Sequence, residues 1–202
     1  MSASSHGSKE KLRQVLREKA STHGVEEQAI ASAKICAHIK AHPLWQSSKS
    51  VLFFWPMANE PDLRTLCNEA LQAGKVVAFP KYFADSRSYS SVAIRNLEQD
   101  MAAGRFGIPE PALSSPELLL KVLDLILVPG LAFSFDGVRL GRGKGYYDRL
   151  LSQIAGTRCG VGYDWQIADS LPNEPHDIRL DCLVTPARWH DITTGPENEF
   201  IG

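Results

Sequence analysis

The sequence predicts an α/β fold in which a mainly parallel sheet is covered by helices. Segments whose apolar residues recur at helical spacing alternate along the chain with short segments that are apolar at almost every position. Segments of the second kind are typical of strands buried on both faces, as in parallel sheets that carry helices on either side. Because such sheets bind ligands at the carboxyl ends of their strands, we look for the site in the loops that leave those ends.

The chain opens with two predicted helices and a strand. Residues 1–8 are small and polar, and we expect them to be flexible. A helix is predicted from Lys9, where apolar residues recur at three- and four-residue spacing, and a second one over residues 25–40, closed by Pro43. Residues 50–55 are almost wholly apolar and stop at a proline, which predicts a buried strand.

A helix, further strands and one more helix follow. Pro61 suits the first position of a helix, where its missing N–H is not needed, and Gly74 suits the C-terminal end. The later strands are predicted over residues 76–80, 89–94, 123–128, 158–162 and 182–185, and the last helix over 146–155. Three loops then leave the carboxyl ends of strands, at residues 56–60, 80–85 and 129–145.

Composition indicates one soluble domain. The 202 residues show neither a repeat nor a linker, so we assign residues 9–185 to a single α/β domain and residues 186–202 to a C-terminal tail. A net charge of -1 offers no general attraction to nucleic acid or an anionic membrane. No apolar run reaches the roughly 20 residues of a membrane helix, and the first residues lack the apolar segment of a secretory signal. We therefore expect a cytoplasmic protein that binds neither nucleic acid nor membrane.

The glycine-rich stretch after residues 123–128 is the most informative segment. Gly141, Gly143 and Gly145 alternate with Arg142 and Lys144. Glycine permits positive φ and lets backbone N–H groups approach an anion, while the cations suit a polyphosphate. The spacing fits neither a Walker A loop nor the GxGxxG motif, and by itself it is equally expected of a flexible basic loop.

Arg139, two residues before the glycines, adds a third cation. Two features favour phosphate binding over a plain basic loop: the loop leaves a predicted buried strand, and Asp148 lies in the first turn of the predicted helix that follows. A carboxylate beside bound phosphates is a typical anchor for Mg²⁺. The alternative for Asp148 is an acid that complements the helix dipole.

This stretch closely resembles the signature of the 5-formyltetrahydrofolate cyclo-ligases, or methenyltetrahydrofolate synthetases. The resemblance extends over nearly the whole chain, from about residue 9 to residue 185. One departure is Phe106, where some members have tryptophan, so the area available for ring stacking is smaller. The matching segments are residues 124–133 and 136–150, together with 9–13, 59–60, 80–82 and 171–177.

The resemblance implies a three-layer α/β/α fold with a mainly parallel central sheet. It implies an ATP- and Mg²⁺-dependent enzyme that converts 5-formyltetrahydrofolate to 5,10-methenyltetrahydrofolate and releases ADP and phosphate. In the mechanism proposed for the family, the formyl oxygen is phosphorylated and N10 then attacks the activated carbon. The partner is then a reduced folate, and we expect a monomer or a weak homodimer.

The resemblance also implies roles for individual residues. Arg142 and Lys144 would act in catalysis on the transferring phosphoryl group, and Asp148 and Asp177 would bind the metal. The residues expected to bind the nucleotide are Lys9, Arg13, Arg139, Gly141, Arg142, Gly143, Lys144, Gly145 and Tyr147. The residues expected to bind the folate are Trp55, Met57, Glu60, Tyr82, Phe106 and Tyr147, with Phe54 as a further candidate ring beside the pterin.

Each of these roles has a plainer alternative. Lys9 and Arg13 have the spacing of a solvated helix face, and Glu60 that of an acid near a helix start. The aromatic residues are individually better explained by core packing. For Asp177 a surface salt bridge is as expected as a role at the metal. Two other functions also remain open: a non-catalytic folate or nucleotide binder, and a sugar-phosphate isomerase or transferase that needs no ATP.

Overall fold

The computed structural model describes residues 3–83, 88–104, 107–112, 116–118, 120–175 and 177–192. The helices are α1 (Ala3–Ala20), α2 (Val25–Ala41), α3 (Pro43–Ser47), α4 (Arg64–Gln72) and α5 (Tyr146–Leu151). The first strands are β1 (Ser50–Leu52), β2 (Val76–Phe83), β3 (Ser88–Ile94), β4 (Met101–Ala103), β5 (Pro109–Pro111) and β6 (Glu117–Leu118). They are followed by β7 (Leu125–Val128), β8 (Ala132–Phe133), β9 (Arg139–Leu140), β10 (Thr157–Val161), β11 (Cys182–Val184) and β12 (Trp189–Asp191).

Eight of these strands form one sheet in the order β12-β11-β10-β7-β1-β2-β3-β6. The five strands from β11 to β2 are parallel, whereas β12, β3 and β6 pair antiparallel at the edges. From β1 the chain passes outward to β2 and later returns on the other side of β1 as β7. The loops from the carboxyl ends of β1 and β7 therefore diverge, which makes this the point where a doubly wound sheet binds ligands.

The sheet separates two apolar cores, as strands buried on both faces require. Alternate residues of a strand face opposite cores: Val51 and Leu125 lie in one, and their neighbours Leu52 and Ile126 in the other. Helices α2 and α4 contribute to the first core and α5 to the second. The predicted three-layer α/β/α fold with a mainly parallel central sheet is thereby confirmed.

Several predicted boundaries are wrong. Helix α1 begins at Ala3, before the predicted start at Lys9, and α4 begins at Arg64 because Asp62 accepts the Arg64 backbone N–H at 3.0 Å, which leaves Pro61 outside the helix. Helix α5 ends at Leu151, after which the N–H groups of Gln153 and Ile154 donate to carbonyls three residues back. Residues 80–83 belong to β2 and are not a loop.

Part of the predicted C-terminal tail contributes a strand to the sheet. Strand β12 falls within residues 186–202 and pairs with β11, matching Val184 with Trp189. Among the residues that the structure describes, no helix combines the length and apolar character needed to cross a bilayer.

Candidate active site

A short hairpin carries the glycine-rich segment at the carboxyl end of β7. Strands β8 and β9 pair antiparallel, and the Leu131 N–H donates to the Leu140 carbonyl at 2.8 Å. The hairpin ends where residues 141–145 begin, and these lead directly into α5. Gly143 and Gly145 adopt φ of 96° and 58°, in the left-handed region that favours glycine. The expected positive φ is thus found at Gly143 and Gly145 but not at Gly141.

Arg13 of α1 lies beneath this segment and is only 6% exposed. Its Nε donates to the Gly141 carbonyl at 3.0 Å, and a Cβ at Gly143 would lie 3.2 Å from the Arg13 Cζ. Its guanidinium also pairs with Glu10 at 3.0 Å. The alternative of a solvated helix face is thus wrong for Arg13, which holds α1 against the glycine-rich segment.

Lys9 is the second buried cation of α1. Its Nζ lies 2.8 Å from an Asp177 carboxylate oxygen and 3.1 Å from one of Glu174. Burial lowers the pKa of Lys9, but the bonds to the two carboxylates outweigh burial, so the pKa lies above its ordinary value. Asp177 is therefore bound to a buried lysine, where the alternative was a surface salt bridge. The segment around residues 174–177 closes onto α1 through this pairing.

Glu60 and Arg142 join the two loops that leave β1 and β7. The Glu60 side chain is 5% exposed, and its Oε1 accepts from Arg142 Nη2 at 2.8 Å and Nε at 3.2 Å. Its Oε2 accepts the Met57 backbone N–H at 3.0 Å. The Glu60 carboxylate is therefore held through one oxygen by the Arg142 guanidinium and through the other by a backbone N–H. The alternative inferred from the sequence was that Glu60 is only an acid near the start of a helix.

Arg139 projects from β9 into the same region and is 8% exposed. Its Nη2 donates to an Asp148 carboxylate oxygen at 2.9 Å and its Nη1 to the Pro129 carbonyl at 3.4 Å. The guanidinium carbon lies 5.5 Å from the centre of the Tyr147 ring, within the range of a cation–π contact. The buried Nε has no hydrogen-bond partner among the described residues, so the guanidinium retains capacity to bind an acceptor.

The aromatic residues expected to wall the folate differ in their exposure. Trp55 is half-buried beside Phe79 and beneath Arg64, whose guanidinium carbon lies 5.8 Å from its ring centre. Tyr147 and Tyr82 are also half-buried, and burial raises the pKa of the Tyr147 phenol well above its ordinary value. Phe54 is 3% exposed in the first core, so a role for it as a pterin wall is wrong. Phe106 lies outside the described residues.

The two predicted metal ligands are each bound to a cation. Asp148 pairs with Arg139 and Asp177 with Lys9. Within the part of the chain that the structure describes, no group of three or more histidine, cysteine or acidic side chains could hold a metal ion. Mg²⁺ commonly takes one or two carboxylates and completes its shell with phosphate oxygens and water, so the donor set fits a metal that arrives with a nucleotide.

Sequence reasoning missed three contributors to this region. Glu174 shares Lys9 with Asp177, although it stands in one of the segments that the resemblance matched. Tyr163 and Gln166, in the turn after β10, reach both loops with buried polar side chains. Single polar residues in an apolar segment carry no spacing signal, so the sequence offered no means of finding the latter two.

Comparison with known proteins agrees with this geometry. A family model described as the 5-formyltetrahydrofolate cyclo-ligase family matches residues 5–186. A 5-formyltetrahydrofolate cyclo-ligase of Mycolicibacterium smegmatis is 33% identical over 147 residues, covering 70% of this chain and 76% of its own. The mouse protein of that name is 28% identical over 190 residues, covering 89% and 94% of the two chains.

A solved structure supports the same likeness in three dimensions. The 5,10-methenyltetrahydrofolate synthetase of Aquifex aeolicus superposes with a TM-score of 0.85 at 34% identity. The match covers 95% of this chain and 96% of that one.

Proposed function

The chain belongs to the 5-formyltetrahydrofolate cyclo-ligase family and is a ligase, and from this premise we propose that it converts 5-formyltetrahydrofolate to 5,10-methenyltetrahydrofolate. The reaction consumes ATP in the presence of Mg²⁺ and releases ADP and phosphate.

One observation carries the proposal: the two loops of the switch point meet through the Glu60–Arg142 pair. Arg142 belongs to a basic segment with a backbone suited to phosphates, and Glu60 lies beside Trp55 and Met57 in the loop after β1. A polyanion on one loop and a heterocycle on the other would thus be bound side by side. Holding two reactants in contact is what a phosphoryl transfer between them needs.

Four cations, three of them buried, support binding of a triphosphate. Lys9 and Arg13 of α1 and Arg139 of β9 are buried, Arg142 is 36% exposed, and each of the four is paired with a carboxylate. A buried guanidinium or ammonium without a partner is strongly destabilising, so these pairs hold the cations in place before the nucleotide arrives. The phosphate oxygens then exchange with carboxylates as partners of the cations.

The chemistry follows from the two binding sides. The formyl oxygen attacks the γ-phosphorus, and the bond from that phosphorus to the ADP oxygen breaks. N10 then attacks the formyl carbon and loses its proton, and phosphate leaves with the former formyl oxygen. Arg142 and Lys144 stabilise the charge on the transferring group, since such a transfer depends on positioning and on charge neutralisation.

Asp148 and Asp177 are the residues that would hold Mg²⁺. When bound, the ion supplies charge neutralisation for the phosphates. The exchange described above releases both carboxylates, because phosphate oxygens take over Arg139 and Lys9. The carboxylates that hold the cations in the free protein thereby become available to the metal.

The folate would lie against the half-buried rings of Trp55, Tyr82 and Tyr147, with Phe106 as a further ring. A pterin presents N–H donors along its edge, and the Glu60 carboxylate is an acceptor at the end of this surface. The Met57 N–H orients that carboxylate. The Tyr147 ring offers a flat face on which a pterin ring can stack.

The test is an absorbance assay. Purified protein with 5-formyltetrahydrofolate, Mg²⁺ and ATP should produce the near-ultraviolet absorbance of the methenyl product, and omission of ATP should abolish it. Folded protein that binds both compounds without turnover would contradict the proposal in favour of a non-catalytic binder. Conversion of a sugar phosphate without nucleotide would instead favour an isomerase.

A further inference from the structure

The turn after β10 reaches both sides of the site with buried polar side chains. Gln166 is 4% exposed and Tyr163 is 1% exposed. They lie at the two ends of one short turn, where the Gln166 Oε1 accepts the Tyr163 backbone N–H at 2.8 Å. This bond fixes the amide so that its Nε2 points away from the turn.

The Gln166 amide holds the start of the hairpin that carries Arg139. Its Nε2 donates to the Gly130 carbonyl at 2.8 Å and approaches the Leu131 carbonyl at 3.4 Å. Gly130 supports Arg139 directly, because a Cβ at Gly130 would lie 3.1 Å from the Arg139 Cγ. A shift of the Gly130 backbone is therefore transmitted to the arginine stem.

The Tyr163 hydroxyl holds the other loop. It donates to the Glu60 backbone carbonyl at 3.2 Å and lies 3.0 Å from the Ser32 hydroxyl of α2. Its ring stacks on Trp165 with ring centres 4.3 Å apart. Burial raises the pKa of Tyr163 above its ordinary value.

We propose that Gln166 and Tyr163 are positioning residues that fix the nucleotide-binding side and the folate-binding side of the site relative to each other. Gln166 acts through Gly130 on Arg139, and Tyr163 acts through the backbone of Glu60. The proposal rests on the proposed function, because it assigns Arg139 to the nucleotide and Glu60 to the folate. The proposal predicts that substitution of Gln166 weakens binding of the nucleotide alone and that substitution of Tyr163 weakens binding of the folate alone.

The test compares Gln166→Glu with Tyr163→Phe. A glutamate keeps the shape and the bond to the Tyr163 N–H but loses the donor to Gly130, whereas phenylalanine removes only the hydroxyl. Loss of one such bond changes affinity by roughly three- to tenfold. We expect Gln166→Glu to raise the KM for ATP by that factor with the folate KM within about twofold, and Tyr163→Phe to do the reverse.

Controls separate positioning from loss of the fold. Gln153→Glu makes the same change at an exposed glutamine of the segment after α5 and should leave both KM values unchanged. Thermal unfolding of each variant checks that it is folded. If the buried carboxylate of Gln166→Glu prevents folding, Gln166→Met removes the donor without adding a charge. Tyr163→Phe retains the stacked ring and by itself tests the expected effect on the KM for the folate.

Binding measurements keep the proposal apart from the proposed function. Calorimetric titration with a non-hydrolysable ATP analogue and Mg²⁺, and separately with 5-formyltetrahydrofolate, reports the two sides without turnover. Equal weakening of both ligands in either folded variant, or no weakening in both variants, would overturn the positioning roles. Absence of turnover in the unaltered protein would overturn the proposed function while these titrations still decide the inference.

Discussion

The Glu60–Arg142 pair leads to a prediction in which one substitution affects the two substrates in opposite directions. In Glu60→Gln, a single amide oxygen replaces two carboxylate oxygens that serve Arg142 and the Met57 N–H. The amide nitrogen must then face a donor, either the guanidinium or the backbone N–H. The folate loses its charged acceptor, whereas a nucleotide no longer competes with Glu60 for Arg142.

The magnitude follows from the exposure of the two side chains. A hydrogen bond to a charged group contributes about 1.5–3 kcal/mol. Because Arg142 is 36% exposed while Glu60 is 5% exposed, solvent screening favours the lower part of that range. We expect the KM for the folate to rise about tenfold and the KM for ATP to stay level or fall.

The assay is the initial rate of methenyl formation, with each substrate varied at saturation of the other. Glu69→Gln is the matched control, because Glu69 pairs with Lys40 on the surface at 2.9 Å and lies outside the site. It should change neither KM. A parallel rise of both KM values in folded Glu60→Gln would refute the assignment of the two loops to different substrates.

Three further predictions concern the glycine-rich segment and α1. Arg142→Ala and Lys144→Ala should each raise the KM for ATP roughly ten- to a hundredfold, and more than the KM for the folate; a larger change for the folate would show that the segment binds the other ligand. Lys9→Met should remove a contribution to stability that is present below the ordinary pKa of 10.5 and is lost as pH rises through the raised pKa of the folded state. Urea unfolding should therefore show the two proteins converging only in strongly alkaline solution, and a difference that persists there would contradict the ion pairing. Gly143→Ala should destabilise the protein by about 1 kcal/mol or more because of its φ of 96°, whereas Gly24→Ala, in open space at negative φ, should be tolerated.

The sequence predicted those features that depend on local pattern. Continuous apolar runs marked β1 and β7 because both faces of these strands are buried, and the glycines at 143 and 145 marked positive φ. The hairpin of β8 and β9 was missed, since strands of two residues are too short for any period to show. The predicted boundaries were wrong where a single hydrogen bond sets the end of an element, as the bond from the Arg64 N–H to Asp62 does at the start of α4.

The sequence offered candidate residues for the site but not the way in which they pair. Lys9 is 168 positions from Asp177 along the chain, and Arg13 is 128 positions from Gly141. Local spacing placed these cations on a solvated helix face, because nothing near them in sequence indicates burial. The topology of the sheet brings their partners to α1, and the resemblance to a known family supplied their roles without supplying that geometry.

The pairing explains how the chain can hold the cations of the proposed triphosphate site in place before any nucleotide is bound. Removing the partner of a buried charge costs about 3–5 kcal/mol, a large share of the stability of a domain, so several unpaired cations would prevent folding. Here Glu60 after β1 and Asp177 before β11 come from segments remote from the glycine-rich loop, whereas Asp148 follows that loop directly. A nucleotide that takes these cations must release the carboxylates, and two of them, Asp148 and Asp177, are the expected metal ligands. Nucleotide and metal should therefore each bind more tightly in the presence of the other. The phosphates displace the carboxylates from the cations, and the metal neutralises the carboxylates that are displaced.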